Sequence, residues 1–207
     1  MAAQPEENII QFLIDNIEPL DDSNYGKGYR AAVYLTDGTF LPCVTFRNPQ
    51  KTVELAIRRF SEEQKGWGIF RNSSPKRYPD IVKTFVTSGN CINCYDIARV
   101  EKSRFAIPER LMRQIEGETT MGWTGFAAKM KDGKCFGFGT NFRFEFFDLP
   151  DGYNMADVEE IISHSYVLDT GEVCSHQIAF SKHPQNYDKA VIYREKVFFE
   201  CFLNGLK

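Results

Sequence analysis

Catalytic signatures are missing from this chain: it has no HExxH, no P-loop and no nucleophile elbow, so three common hydrolytic designs have no anchor residues. No stretch is apolar for long enough to cross a bilayer, and the opening MAAQPEENII lacks the basic start and apolar run of a secretory signal. A cytoplasmic protein without a membrane partner is therefore expected. Lys and Arg are absent from Phe144 to Ser181, a segment that carries Glu145, Asp148, Asp151, Asp157, Glu159, Glu160, Asp169 and Glu172. A net charge of −3 gives no global pull toward nucleic acid.

What is present is aromatic. The 207 residues include 18 Phe, and an apolar fraction of 43% against 26% charged residues is that of a globular protein with an aromatic core. A chain of this length buries enough surface to fold without staples, so the six Cys read as reduced thiols rather than as a disulfide framework. One domain over 1–207 is expected, the alternative being two halves, 1–105 and 106–207.

A first helix is predicted from Pro5 to Asn16 by Ile10, Leu13, Ile14 and Ile17. A second opens at Asn48-Pro49, with Val53, Ala56, Ile57 and Phe60 as its buried stripe, and a short third opens at Pro108. Hairpins are predicted at three Asp-Gly or Asp-x-Gly turns. At Asp37-Gly38 a two-residue turn puts Val33 and Leu35 on one face with Phe40, Val44 and Phe46. At Lys131-Asp132-Gly133 a three-residue turn pairs Met130 with Lys134 and sets Phe126 and Ala128 beside Phe138 and Phe136. At Asp169-Thr170-Gly171 another sets Tyr166 opposite Cys174 and His164 opposite His176. Asn154 opens a helix toward Ile162 or a strand over the same residues, and Ala190 to Leu203 fits either state. A further strand is expected from Ile81 to Thr87.

These elements predict an α+β fold, a mainly antiparallel sheet built from β-hairpins with a few short helices packed on it. The Gly-aromatic entries Gly28-Tyr29 and Gly122-Trp123, each followed by an Asp-Gly turn, raise an internal duplication of a hairpin unit.

Three groups of residues could carry function. Cys91 and Cys94 form a C-x-x-C, half of a zinc site, which Cys174 and His176 could complete, and His164 joins that pair across the third hairpin. The competing reading is a set of ordinary thiols and a polar strand face, so no cofactor is expected and zinc is the one candidate. From Lys51 to Arg77 the basic side chains Arg58, Arg59, Arg71, Lys76 and Arg77 mix with Trp67, the pairing single-stranded nucleic acid uses for phosphates and bases. A solvated helix face and a self-packed loop explain it equally. On the central hairpin Gly137 and Gly139 leave bare backbone beside Asn141 and Arg143, room for another backbone, ligand or subunit.

With no catalytic motif and separated charge blocks, the leading expectation is a non-catalytic interaction or regulatory protein acting through a protein partner or a homodimer. Nucleic-acid binding through 51–77 and a metal-dependent hydrolase using the 164–176 hairpin are the alternatives.

Overall fold

The computed structural model describes residues 1–22, 25–64, 90–141, 145–176 and 189–206. They form α+β structure that is mostly sheet, divided between two compact units, Met1–Lys102 with Phe198–Lys207, and Ser103–Val197. Among the described residues no helix is long and apolar enough to cross a membrane. The expected strand from Ile81 to Thr87 lies outside the described residues.

The first unit holds helix α1 (Glu6–Asn16), strands β1 (Pro19–Asp22), β2 (Gly26–Leu35) and β3 (Phe40–Arg47), helix α2 (Gln50–Gln64), strands β4 (Cys91–Ile92) and β5 (Ile97–Lys102), and the C-terminal strand β12 (Phe199–Phe202). The sheet runs β1-β2-β3-β12-β4, with β5 also paired to β2. One face is apolar: Tyr29, Ala31 and Val33 of β2, Val44 and Phe46 of β3, Ile97 and Val100 of β5 and Cys201 of β12 pack with Ile9 and Leu13 of α1. Burial of these side chains, at about 1.5–3 kcal/mol each, drives α1 onto the sheet. The alternation along β2 then sends Arg30, Ala32 and Tyr34 to the other face.

That second face changes character along its length. At one end Arg47 is fully buried, and its Nη1 lies 3.0 Å from where a Cβ on Gly28 would stand. The guanidinium donates to Gly26 O (3.2 Å), and its Nε lies 3.8 Å from the Glu200 carboxylate, which supplies the countercharge that a buried cation requires. At the other end the face is exposed. Helix α2 is capped as its sequence predicts, with Asn48 Oδ1 accepting from Gln50 N (2.9 Å). Its buried residues are Thr52, Leu55 and Ala56, while Ile57, expected inward, is 47% exposed. The helix is turned so that the face one residue before the expected stripe is covered.

The second unit holds helix α3 (Glu109–Met112), strands β6 (Thr124–Met130), β7 (Cys135–Thr140), β8 (Val158–Ser163), β9 (Ser165–Leu168), β10 (Val173–Ser175) and β11 (Ala190–Arg194), in the order β10-β9-β11-β7-β6-β8. The helix offered from Asn154 is a single 3-10 turn, Met155–Asp157, after which β8 runs extended. Asn154 does cap that turn, accepting from Ala156 N at 2.9 Å. The central hairpin has the expected register, with Met130 N donating to Lys134 O (2.8 Å), Gly133 at φ +87° and Phe126 opposite Phe138. Phe126, Phe138 and Phe147 pack at centroid separations of 5.5 Å, in stacked and edge-on contacts over Leu111 and Val158.

Neither sheet is purely antiparallel. Strand β12 runs parallel to β3 and β4, and β11 runs parallel to β7, so the sheets are mixed where a mainly antiparallel one was expected. The last strands of the chain insert beside strands far earlier in the sequence, which hairpin signals cannot report. Both 190–194 and 199–202 are therefore strands.

Candidate functional site

The first hairpin departs from its predicted register by one residue. Leu35 N donates to Thr39 O (2.8 Å) and Gly38 N to Leu35 O (3.0 Å), so the loop is Thr36-Asp37-Gly38, with Gly38 at φ +93°. Asp37 Oδ1 accepts from Thr39 N at 2.8 Å, and this bond holds its carboxyl below the usual carboxylate range. Consequently Phe40 pairs with Tyr34 instead of sharing the face of Val33. A bulge between the Ala31 and Val33 pairings then returns Val44 and Phe46 to the core.

Phe40 is thus carried to the second face, where it is 46% exposed with its ring centroid 4.7 Å from that of Tyr34. On the far side of β2, Arg99 of β5 pairs with Tyr34 and lays its guanidinium 4.4 Å from the ring centroid. Arg99 also meets the Glu101 carboxylate at 2.7 Å. Tyr95, 68% exposed, sits on the 3-10 turn Cys94–Asp96 at the same end of the sheet, tied there because Thr36 N donates to Asp96 O (2.8 Å). The arrangement is a row of Phe40, Tyr34 and Arg99 across β3, β2 and β5, held by backbone pairing on both sides of Tyr34. It offers aromatic faces and one charge compensated by Glu101. A three-residue reading of the Asp37-Gly38 turn, like that at Gly133, is the signal that would have exposed it in the sequence.

The sequence-derived sites are placed as follows. Cys91 and Cys94 belong to the first unit. Cys91 lies in β4 beside Glu200, Ile92 lies beside Cys201, and Asn93 is extended (φ −89°, ψ 137°) before the 3-10 turn starts at Cys94. The C-x-x-C therefore spans straight chain, and Cys94 packs at the α1 core with Sγ 3.9 Å from Glu6 Oε2. Burial, reinforced by Glu6, pushes the Cys94 thiol up.

The third hairpin has the expected register, with Cys174 opposite Tyr166 and His176 N donating to His164 O (2.8 Å). The two imidazoles nevertheless engage different neighbours. His164 stands at φ +53° at the corner between β8 and β9, with Nδ1 3.1 Å from Thr119 Oγ1 and Nε2 3.6 Å from Glu116 Oε2. His176 is buried, its ring edge-on to Tyr166 at 5.2 Å, and its Nε2 comes 2.5 Å from where a Cβ on Gly125 would stand. Burial lowers its pKa, and the nearby charge of His164 lowers it further. Among the described residues no three His, Cys, Asp or Glu side chains gather in a way that could hold a metal ion.

Of the basic-aromatic segment, Arg58 and Arg59 are exposed on α2, Arg59 lying 3.7 Å from Glu62. Trp67, Arg71, Lys76 and Arg77 lie outside the described residues. On the central hairpin the room left by the two glycines is taken by the chain itself. A Cβ on Gly137 would stand 2.7 Å from Val191 O and 3.1 Å from Val167 N, and one on Gly139 would stand 2.0 Å from Trp123 Cζ2. Asn141 Oδ1 accepts from Arg194 Nη2 (2.5 Å), whose guanidinium lies 4.9 Å from the centroid of Trp123. Arg143 lies outside the described residues.

Compared with known proteins, the chain matches no family model, no curated protein and no solved structure.

Proposed function

We infer that this chain is a non-catalytic interaction protein that works in the cytoplasm through a protein partner or a second copy of itself. The observation that carries the reading is the row Phe40, Tyr34 and Arg99, exposed at Phe40 and Arg99 and half-buried at Tyr34, with the exposed Tyr95 at the same end of the sheet. Aromatic side chains and Arg are the groups enriched at the centres of protein interfaces, where they bring large contact area at low entropic cost. Here the row is fixed before any partner arrives, because Tyr34 is paired on both sides and the hairpin turn is closed by two hydrogen bonds. All six cysteines are free thiols, which fits a reducing compartment.

The test is a photo-crosslinking amino acid placed at Phe40 in living cells, with the same group at the exposed Glu160 as control. The reading expects protein adducts of defined mass at position 40 and none at 160. Equal labelling at both positions, or none at either, removes the support.

A further inference from the structure

Of the asparagines in the chain, only Asn204 is followed by glycine. The pair lies in the turn after β12. Leu206 N donates to Leu203 O (3.3 Å), which leaves Asn204 and Gly205 at the two central positions. Both are exposed, while Leu203 and Leu206 on either side are buried in the α1 core. Packing calls for glycine at 205, because a Cβ there would stand 2.9 Å from Ile10 Cδ1 of α1. Among the described residues neither the Asn204 carboxamide nor the Gly205 N–H takes part in a hydrogen bond.

An asparagine Cγ and the backbone nitrogen that follows it are placed by the chain itself to close a succinimide ring, so the reaction is intramolecular. A side chain on the second residue obstructs the approach, and so does a hydrogen bond that occupies its N–H. Neither obstacle exists at 204–205. We propose that Asn204 is a site of spontaneous deamidation through a succinimide, and that isoaspartate formed there loosens the turn from the first unit. Gly205 N, its proton given up to base, attacks Asn204 Cγ. The N–Cγ bond forms, and the carboxamide nitrogen leaves as ammonia after taking up a proton. Water then opens the ring: attack at Cγ gives aspartate, and attack at the α-carbonyl gives isoaspartate. Water is the one co-reactant, and nothing is oxidised or reduced.

Asn48 is what isoaspartate disturbs. Its Nδ2 donates to Asn204 O (3.2 Å) and to Leu206 O (2.7 Å), while its Oδ1 caps α2. Leu203 N donates to Arg47 O (3.0 Å), so the turn is tied to the end of β3 as well. Isoaspartate runs the main chain through the former side chain, adds one atom between Leu203 and Leu206, and converts the Asn204 carbonyl into a free carboxylate. The carbonyls of 204 and 206 then lose the spacing that one amide bridges, and the two leucines no longer fit their places together. Aspartate, the other product, leaves the main chain as it was. The modification is independent of the partner inferred above.

The full chain, incubated at body temperature and mildly alkaline pH, tests this. Peptide mass spectrometry locates each deamidation, and electron-transfer fragmentation separates isoaspartate from aspartate. Asn204 is expected to react faster than every other asparagine by about tenfold or more, at a rate that rises with hydroxide, with isoaspartate as the main product. Protein carrying isoaspartate, isolated by ion exchange, is expected to unfold at lower urea than fresh protein. Asn204→Ser cannot form the ring, and its urea midpoint is expected to be the same before and after incubation; the Asn204 side chain is exposed, so this variant should fold. An Asn204 that survives as well as the other asparagines overturns the site. Isoaspartate at 204 with an unchanged midpoint, or an equal loss in incubated Asn204→Ser, overturns the loosening of the turn.

Discussion

Tyr34 and Phe40 face each other across the first hairpin with ring centroids 4.7 Å apart, and they do so because Gly38 at φ +93° completes a three-residue loop. The same Phe with a two-residue turn would stand with Val33 over α1. Phe40→Ala is therefore expected to cost little stability, below about 1 kcal/mol, as a half-exposed side chain does. Phe138→Ala empties part of the second unit's core and should cost about 3–5 kcal/mol. Urea unfolding followed by circular dichroism separates the two; comparable losses would return Phe40 to a core role.

The glycines of the central hairpin give a second expectation. Gly139→Ala drives a methyl into Trp123, and Gly125→Ala drives one into His176 and Trp123 Nε1 (3.0 Å). Each should destabilise by about 1–3 kcal/mol through overpacking and shift the tryptophan emission. Gly117 has nothing within 4 Å of the corresponding position and no positive φ, so Gly117→Ala should be close to neutral. Equal effects at 117 and 139 would contradict the packing described.

How much of this the residues reveal in advance depends on the range of the interaction concerned. Gly133 and Gly171 announce their turns locally, and both registers follow from them. Gly38 carries the same information, but a two-residue reading of its turn shifts the loop by one residue, and that one residue moves Phe40 from surface to core. The parallel placement of β11 and β12 depends on strands far earlier in the chain, so no local pattern contains it. Gly137 and Gly139 do read as bare backbone. That Val191 of β11 and Trp123, just before β6, fill the space is tertiary information.

The cysteines provide a chemical check on burial. Cys43 and Cys201 are 1% and 0% exposed, and burial pushes the Cys201 thiol far up, with the neighbouring thiols Cys94 and Cys91 adding to it. Iodoacetamide at neutral pH followed by peptide mass spectrometry should leave both unmodified in the native protein, whereas all six react in urea. Rapid native labelling of Cys201 would mean that β12 does not sit between β3 and β4.

Acid should weaken the fold through His176. Its ring is enclosed by Tyr166, Trp123 and Gly125, with the charge of His164 nearby and Glu116 beyond it on the His164 ring, and burial sets its folded pKa below the ordinary value of 6.5. Between the folded and ordinary values the unfolded chain binds more protons than the native one, so stability rises with pH across that window. The contribution is complete above the ordinary value and is lost as pH falls toward the folded one. Urea midpoints at pH 7.5, 6.5 and 5.5 should decline in that order for the wild type. His176→Gln removes the titrating group and should flatten the decline, whatever it does to stability at pH 7.5. An unchanged slope in the variant would assign the acid sensitivity to other groups.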